Sequence, residues 1–129
     1  MLRLTDVVLD CPDTMKLARF YAAVIDGAVA EGSDTQWAAV SANGFNLAFQ
    51  HVDNYRRPRW PEQNDPQQVH IDFEVDDFEA EGRRVVGLGA TLRANRISES
   101  GYGFQVYIDP AGHPFCLCRS QIKPAAPTA

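Results

Sequence analysis

His70, Asp72 and Glu74 stand two residues apart, with Val69, Ile71, Phe73 and Val75 alternating between and beside them. Alternation with a period of two marks a strand with one apolar and one polar face. The imidazole and both carboxylates therefore project from the same side. Histidine titrates nearest neutrality and can carry protons at physiological pH, and an adjacent carboxylate stabilises its charged form. His70 with Asp72 is the candidate catalytic pair, and Glu74 a candidate ligand contact further along the strand. The plainer alternative is a polar sheet face that only meets water. Asp6 and Asp10 alternate with Val7 and Leu9, with Val8 breaking the polar face, and Cys116 and Cys118 alternate with Leu117. These four, together with Gln50, are candidate ligand contacts, although a free cysteine commonly serves as a small apolar core residue. Trp60 and Tyr102, with Trp37, could wall a binding site. Arg56, Arg57 and Arg59 could receive an anion or simply face solvent. His113, in a Gly-His-Pro turn, reads as structural.

The elements that must position these residues follow from pattern. Strands are expected at Leu2–Asp10, Ala28–Glu31, Trp37–Ser41 and Phe45–Val52, and again at Val69–Val75, Thr91–Ile97, Phe104–Ile108 and Pro114–Cys118. Leu17, Phe20, Tyr21 and Val24 fall at helical spacing after Asp13, a good N-cap, and Gly27 suits a left-handed helix end. A second helix follows Asp77, with Phe78, Val85 and Leu88 facing inward. Asn43-Gly44 is a tight-hairpin signal. Asp53 to Gln68 carries Pro58, Pro61 and Pro66 and no apolar period; loops of that length in compact domains are usually functional or linkers.

The pattern is an internal repeat. Asp6 matches His70, Leu9 matches Phe73, Asp13 matches Asp77 and Arg19 matches Arg83; further on, Gly44 matches Gly112 and Phe49 matches Leu117. The expected architecture is α+β. Two tandem βαβββ modules form curved mixed sheets around a cleft, with the helices outside. Residues 1–119 form one domain: a first module at 3–52, a loop at 53–68 and a second module at 69–119. A flexible tail follows at 120–129.

Composition bounds the function. The chain has 129 residues, 45% hydrophobic and 22% charged, with 12 basic and 17 acidic side chains and a net charge of −5. That length suits one domain with a real core. An acidic chain lacks the electrostatic footprint of nucleic-acid binding. No apolar run is long enough to span a bilayer, and the N-terminus has no secretory pattern. Three cysteines without C-x-x-C spacing argue against a disulfide framework, so a cytoplasmic location is expected.

The two βαβββ copies resemble the vicinal oxygen chelate superfamily of the glyoxalase and bleomycin-resistance type. The resemblance rests on His70 to Asp77, on the Gly87-Leu88-Gly89-Ala90 helix end, and on Asp109-Pro110-Ala111-Gly112-His113-Pro114-Phe115. Trp60-Pro61 and Pro66-Gln67-Gln68-Val69-His70 resemble the glyoxalase-like domain branch more closely. The resemblance implies a small-molecule ligand in the cleft between modules, and a homodimer as an expected assembly. In metal-binding relatives a divalent ion sits on ligands whose positions here are Asp6, Ala48, His70 and Cys116. Ala48 cannot coordinate and Cys116 replaces a carboxylate, so no metal and no other cofactor is expected. A recruited divalent ion on Asp6, His70 and Cys116 is the weaker alternative. The expected function is metal-independent small-molecule binding, for sequestration, resistance or sensing. The alternative is a lyase, isomerase or dioxygenase that uses His70 with an acidic neighbour or a recruited metal. An accessory domain acting through the arginine-rich loop is a third reading.

Overall fold

The computed structural model describes residues 1–42 and 44–120. The first module comprises β1 (Val7–Cys11), α1 (Thr14–Ile25), β2 (Ala28–Val29), β3 (Trp37–Ala42) and β4 (Phe45–His51). The second comprises β5 (Ile71–Glu74), α2 (Phe78–Leu88), β6 (Thr91–Ile97), β7 (Gly103–Ile108) and β8 (Pro114–Arg119). The two four-stranded sheets run β1-β4-β3-β2 and β5-β8-β7-β6. In each, the opening strand lies parallel to the last strand and the remaining pairs are antiparallel. The repeat extends to register: Val8 pairs with Ala48, and Asp72 with Cys116.

Both helices start on an aspartate. The Asp13 carboxylate accepts the Lys16 amide at 3.1 Å and the Asp77 carboxylate the Ala80 amide at 3.0 Å. Each cap satisfies an amide that the first helical turn leaves unpaired, worth ~1 kcal/mol. The end of α1 departs from expectation. Asp26, not Gly27, takes the left-handed conformation, at φ 53°. Glycine is required at position 27 for closeness instead, because a Cβ there would lie 2.7 Å from the Ser41 carbonyl oxygen. The expected Asn43-Gly44 hairpin falls partly outside the described residues; Gly44 itself has φ 71°. The expected tail also lies outside them from residue 121 onward.

The core is aromatic and continuous from one module to the other. Tyr21 of α1 stacks on Phe49 with ring centroids 5.7 Å apart and meets Phe73 and Phe115 of the second sheet at 6.4 and 6.1 Å. Phe115 also stacks on Tyr107 at 5.7 Å and touches Phe20 at 5.9 Å. The expectation that the helices cover the outside is therefore overturned for α1, which buries Leu17, Ala18, Phe20, Tyr21 and Val24 against both sheets. Arg84 of α2 binds α1 directly, donating to the carbonyls of Ala23 and Val24 at 2.8 and 2.7 Å. Leu88, expected to face inward, is 37% exposed. The inner face of α2 is Gly82 and Val85, with Phe78 partly buried against the core, and a Cβ at Gly82 would lie 2.5 Å from the Tyr107 hydroxyl.

A polar lock ties the modules together. The buried Asp109 carboxylate accepts the Tyr21 hydroxyl at 2.6 Å and the amides of Ala111 and His113 at 2.8 and 3.0 Å. His113 Nε2 donates to the Asp10 carbonyl at 2.6 Å, so this histidine is structural, as its turn suggested. Burial raises the Asp109 pKa above the usual carboxylate value, opposed by these hydrogen bonds and by His113. The loop at 53–68 contains neither helix nor strand and is held by its own ion pairs and by Tyr55. Arg56 and Arg59 pair with Asp65, and the Tyr55 hydroxyl donates to the Ala111 carbonyl at 2.9 Å. The arginine cluster thus folds the loop rather than waiting for a ligand.

Candidate functional site

The strand alternation seen in sequence holds in space: Ile71, Phe73 and Val75 turn inward while His70, Asp72 and Glu74 are exposed. Asp72 and Cys116 are register partners, which places a carboxylate beside a thiol on the outward face of the second sheet. His70 lies just ahead of β5, its Nε2 3.5 Å from Asp72 Oδ1. Above this floor lies a cavity of about 610 Å³, walled by Trp60, Tyr102, Phe104, Val106 and Pro114 and edged by Gln67, Arg119 and Ser120. Its size and mostly apolar lining with a few polar groups are those of a small-molecule site. Two aromatic walls carry arginines: Arg93 sits 6.0 Å from the Trp60 ring centroid and Arg119 5.5 Å from that of Tyr102.

Burial, with the Asp72 charge next in weight, pushes the Cys116 thiol up to about 12. It is neutral at pH 7 and therefore a poor nucleophile. The Cys118 thiol donates to the Phe73 carbonyl at 3.6 Å. The divalent ion implied by the fold family can be tested against the donors present. One atom each of His70, Asp72 and Cys116 lie within 4.8 Å of one another. This nitrogen, oxygen and sulfur set does not fit a hard, oxygen-preferring cation. It could suit a borderline ion such as zinc, provided the thiol gives up its proton on binding. The expected alternative set included Asp6; Asp72 stands in its place, and Ala48 offers no donor.

Of the sequence candidates, His70, Asp72, Trp60, Tyr102, Cys116 and Cys118 converge on the cavity. Asp6, Asp10 and Gln50 do not line it. Asp10 and Gln50 are register partners on the first sheet, and Asp6 precedes β1 and accepts the Thr5 hydroxyl at 3.1 Å. The repeat matches these residues to the second-module floor. The modules, however, pack through their apolar sides, and the matched polar faces do not share this cavity. Trp37, also on the first sheet, is 42% exposed and lies outside the cavity. Glu74 instead lines a separate polar groove with Asp76, Glu81 and Arg84. Sequence reasoning missed Gln67, Phe104, Val106, Pro114 and Arg119. The alternation of Phe104 and Val106 with Gln105 and Tyr107 was a legible sign of one shared face; nothing in the pattern singled out Arg119.

The comparisons agree with this fold. The structure is similar to a glyoxalase-related enzyme from Fulvimarina pelagi, with TM-score 0.70 and 20% identity over 98% of this chain and 94% of that one. It is similar to the fosfomycin resistance protein of Mesorhizobium loti, with TM-score 0.69 and 20% identity over 95% and 94%. A glyoxalase/bleomycin resistance protein/dioxygenase family enzyme from Burkholderia phytofirmans gives TM-score 0.66 and 16% identity over 88% and 94%. The fold is that of the vicinal oxygen chelate proteins. Residues 6–118 match the glyoxalase-like domain, and the chain belongs to that family. No curated protein matches the sequence.

Proposed function

We propose that the second-module cavity binds a small molecule without a resident hard metal, and that binding itself is the function, whether for sequestration, resistance or sensing. The observation that carries this is the cavity: a floor of polar groups under aromatic walls, one of them supplied by the long loop. Cys116 at a position where the resemblance puts a carboxylate supports the metal-free reading. The fosfomycin resistance named for the Mesorhizobium loti protein makes resistance a natural context. Residues 1–119 act as one domain in this reading, since one core joins both modules. A second copy of the chain is the macromolecular partner we propose; it would cover Val8, Trp37 and Phe45, which the first sheet leaves exposed. Sedimentation at several concentrations checks that assembly. Three free cysteines are in keeping with a reducing, cytoplasmic location. None of the described helices is long and apolar enough to cross a membrane.

Trp60 provides the test. With N-phenylnaphthylamine as a fluorescent apolar probe, Trp60→Ala is expected to weaken binding by roughly 1–3 kcal/mol, the scale of one large apolar contact. Its melting temperature should fall less than that of a core variant. A lowered melting temperature with unchanged affinity would mean that Trp60 only clips the loop to the sheet.

The His70, Asp72 and Cys116 cluster favours a second reading, an enzyme in which His70 exchanges a proton with the ligand and Asp72 orients the imidazole. Zinc held by the three side chains would supply Lewis acidity. Elemental analysis of untagged protein decides between the two. Binding alone predicts well under one equivalent of metal. Stoichiometric zinc that is lost in Cys116→Ala would favour the enzyme.

A further inference from the structure

We propose that the ligand of this cavity is a small organic anion with a flat apolar body, and that Arg119 receives its negative group. The inference rests on the binding role proposed for the cavity and adds the charge and shape of what it binds.

Arg119 is the last residue of β8 and lines the cavity. Its guanidinium carbon lies 5.5 Å from the Tyr102 ring centroid, and a guanidinium that stacks on a ring keeps its N–H edge free for an anion. Arg56, Arg59, Arg83 and Arg84 pair with carboxylates; Arg119, like Arg93 over Trp60, has no carboxylate at ion-pair distance among the described residues, and of these two only Arg119 lines the cavity. Asp72 is the one carboxylate among the described residues lining the cavity, and it sits beside His70. The chain as a whole carries a charge of −5, so a cation at the cavity edge runs against the general field of the protein. A guanidinium beside an aromatic ring and without a counter-ion among the described residues is well suited to a carboxylate, phosphonate or sulfonate.

A second polar group points the same way. Gln67 lines the cavity, and its buried Oε1 has no hydrogen-bond partner among the described residues. Leaving a buried acceptor unpaired is unfavourable, and once the amide turns toward the cavity an N–H or O–H on the ligand would satisfy it. Trp60, Phe104, Val106 and Pro114 supply the apolar surfaces against which a flat body can lie.

Two probes with the same ring system and the same bridging N–H separate charge from shape: anilinonaphthalenesulfonate, which carries the anion, and N-phenylnaphthylamine, which does not. Arg119→Gln is expected to weaken the sulfonate probe about ten- to a hundredfold, the scale of a charge-assisted hydrogen bond. The neutral probe should change by less than about twofold. Affinity for the sulfonate should also fall with added salt in the wild type and become nearly salt-independent in the variant. Arg119→Lys, which keeps the charge but loses the planar fork, should fall between the two. Equal changes for both probes, or no change for either, would overturn the role given to Arg119 and leave the cavity as an uncharged binding site. If neither probe binds the wild-type protein, the binding role of the cavity fails as well.

Discussion

Phe115→Ala is expected to cost about 3–5 kcal/mol of folding stability, the range for emptying a fully buried aromatic position. Phe115 is 0% exposed and its ring meets Phe20, Tyr21, Phe73 and Tyr107, two from α1 and two from the second sheet. No neighbour can fill the space without leaving a contact of its own. The loss is also functional in direction. Phe115 and Cys116 are consecutive on β8 and face opposite ways, so the ring that anchors the core side holds the strand that forms the cavity floor. Urea unfolding measures the cost, and probe affinity in the still-folded fraction should fall as well. Phe73 remains partly exposed, so Phe73→Ala should cost less. A loss below about 1.5 kcal/mol for Phe115→Ala would mean that the modules are not held together by this cluster.

Asp109→Ala should be of comparable size, about 3–5 kcal/mol, for a different reason. It strands the Tyr21 hydroxyl and the amides of Ala111 and His113 in a buried turn. Each unmet group costs roughly 1–3 kcal/mol, and local relaxation reduces the sum. Asp109→Asn keeps an acceptor oxygen for the two amides and should cost much less. The pair also tests pH dependence. Burial raises the folded pKa of Asp109 above the ordinary aspartate value of 3.8. As pH climbs from there, the unfolded chain releases the proton before the folded chain does, so this group's contribution to stability declines through the window up to the folded pKa. Asp109→Asn has no such proton, so the wild type should lose ground to it as pH rises from about 3.8. A difference between the two that does not vary with pH across that window would contradict the buried-carboxylate account.

The sequence made some of this legible because a side-chain period is a local property. Alternation at residues 69–75 identified the face carrying His70 and Asp72, the aspartates before α1 and α2 marked both helix starts, and the offset between copies foretold the matching register. What a face meets is not local. Asp10 and Gln50 match second-module residues in the repeat, yet which sheet sides come together depends on Tyr21, Phe73 and Phe115, which are far apart in the chain. For the same reason the arginines at 56 and 59 resembled an anion site until Asp65 was seen to pair with them. Arg119 had no pattern at all, and its place over Tyr102 arises only once β7 and β8 pair. Leu88 fitted the helical stripe, but the inner side of α2 is set by the close approach of Tyr107 to Gly82.

The most direct test of the cavity as the binding site is a titration of isotopically labelled protein with N-phenylnaphthylamine, followed by amide and indole chemical shifts. The largest shifts are expected at Trp60, Gln67, Tyr102, Phe104 and Cys116. Shifts concentrated instead at Val24, Glu74, Glu81 and Arg84, with the cavity residues unmoved, would place binding in the separate polar groove and contradict the account.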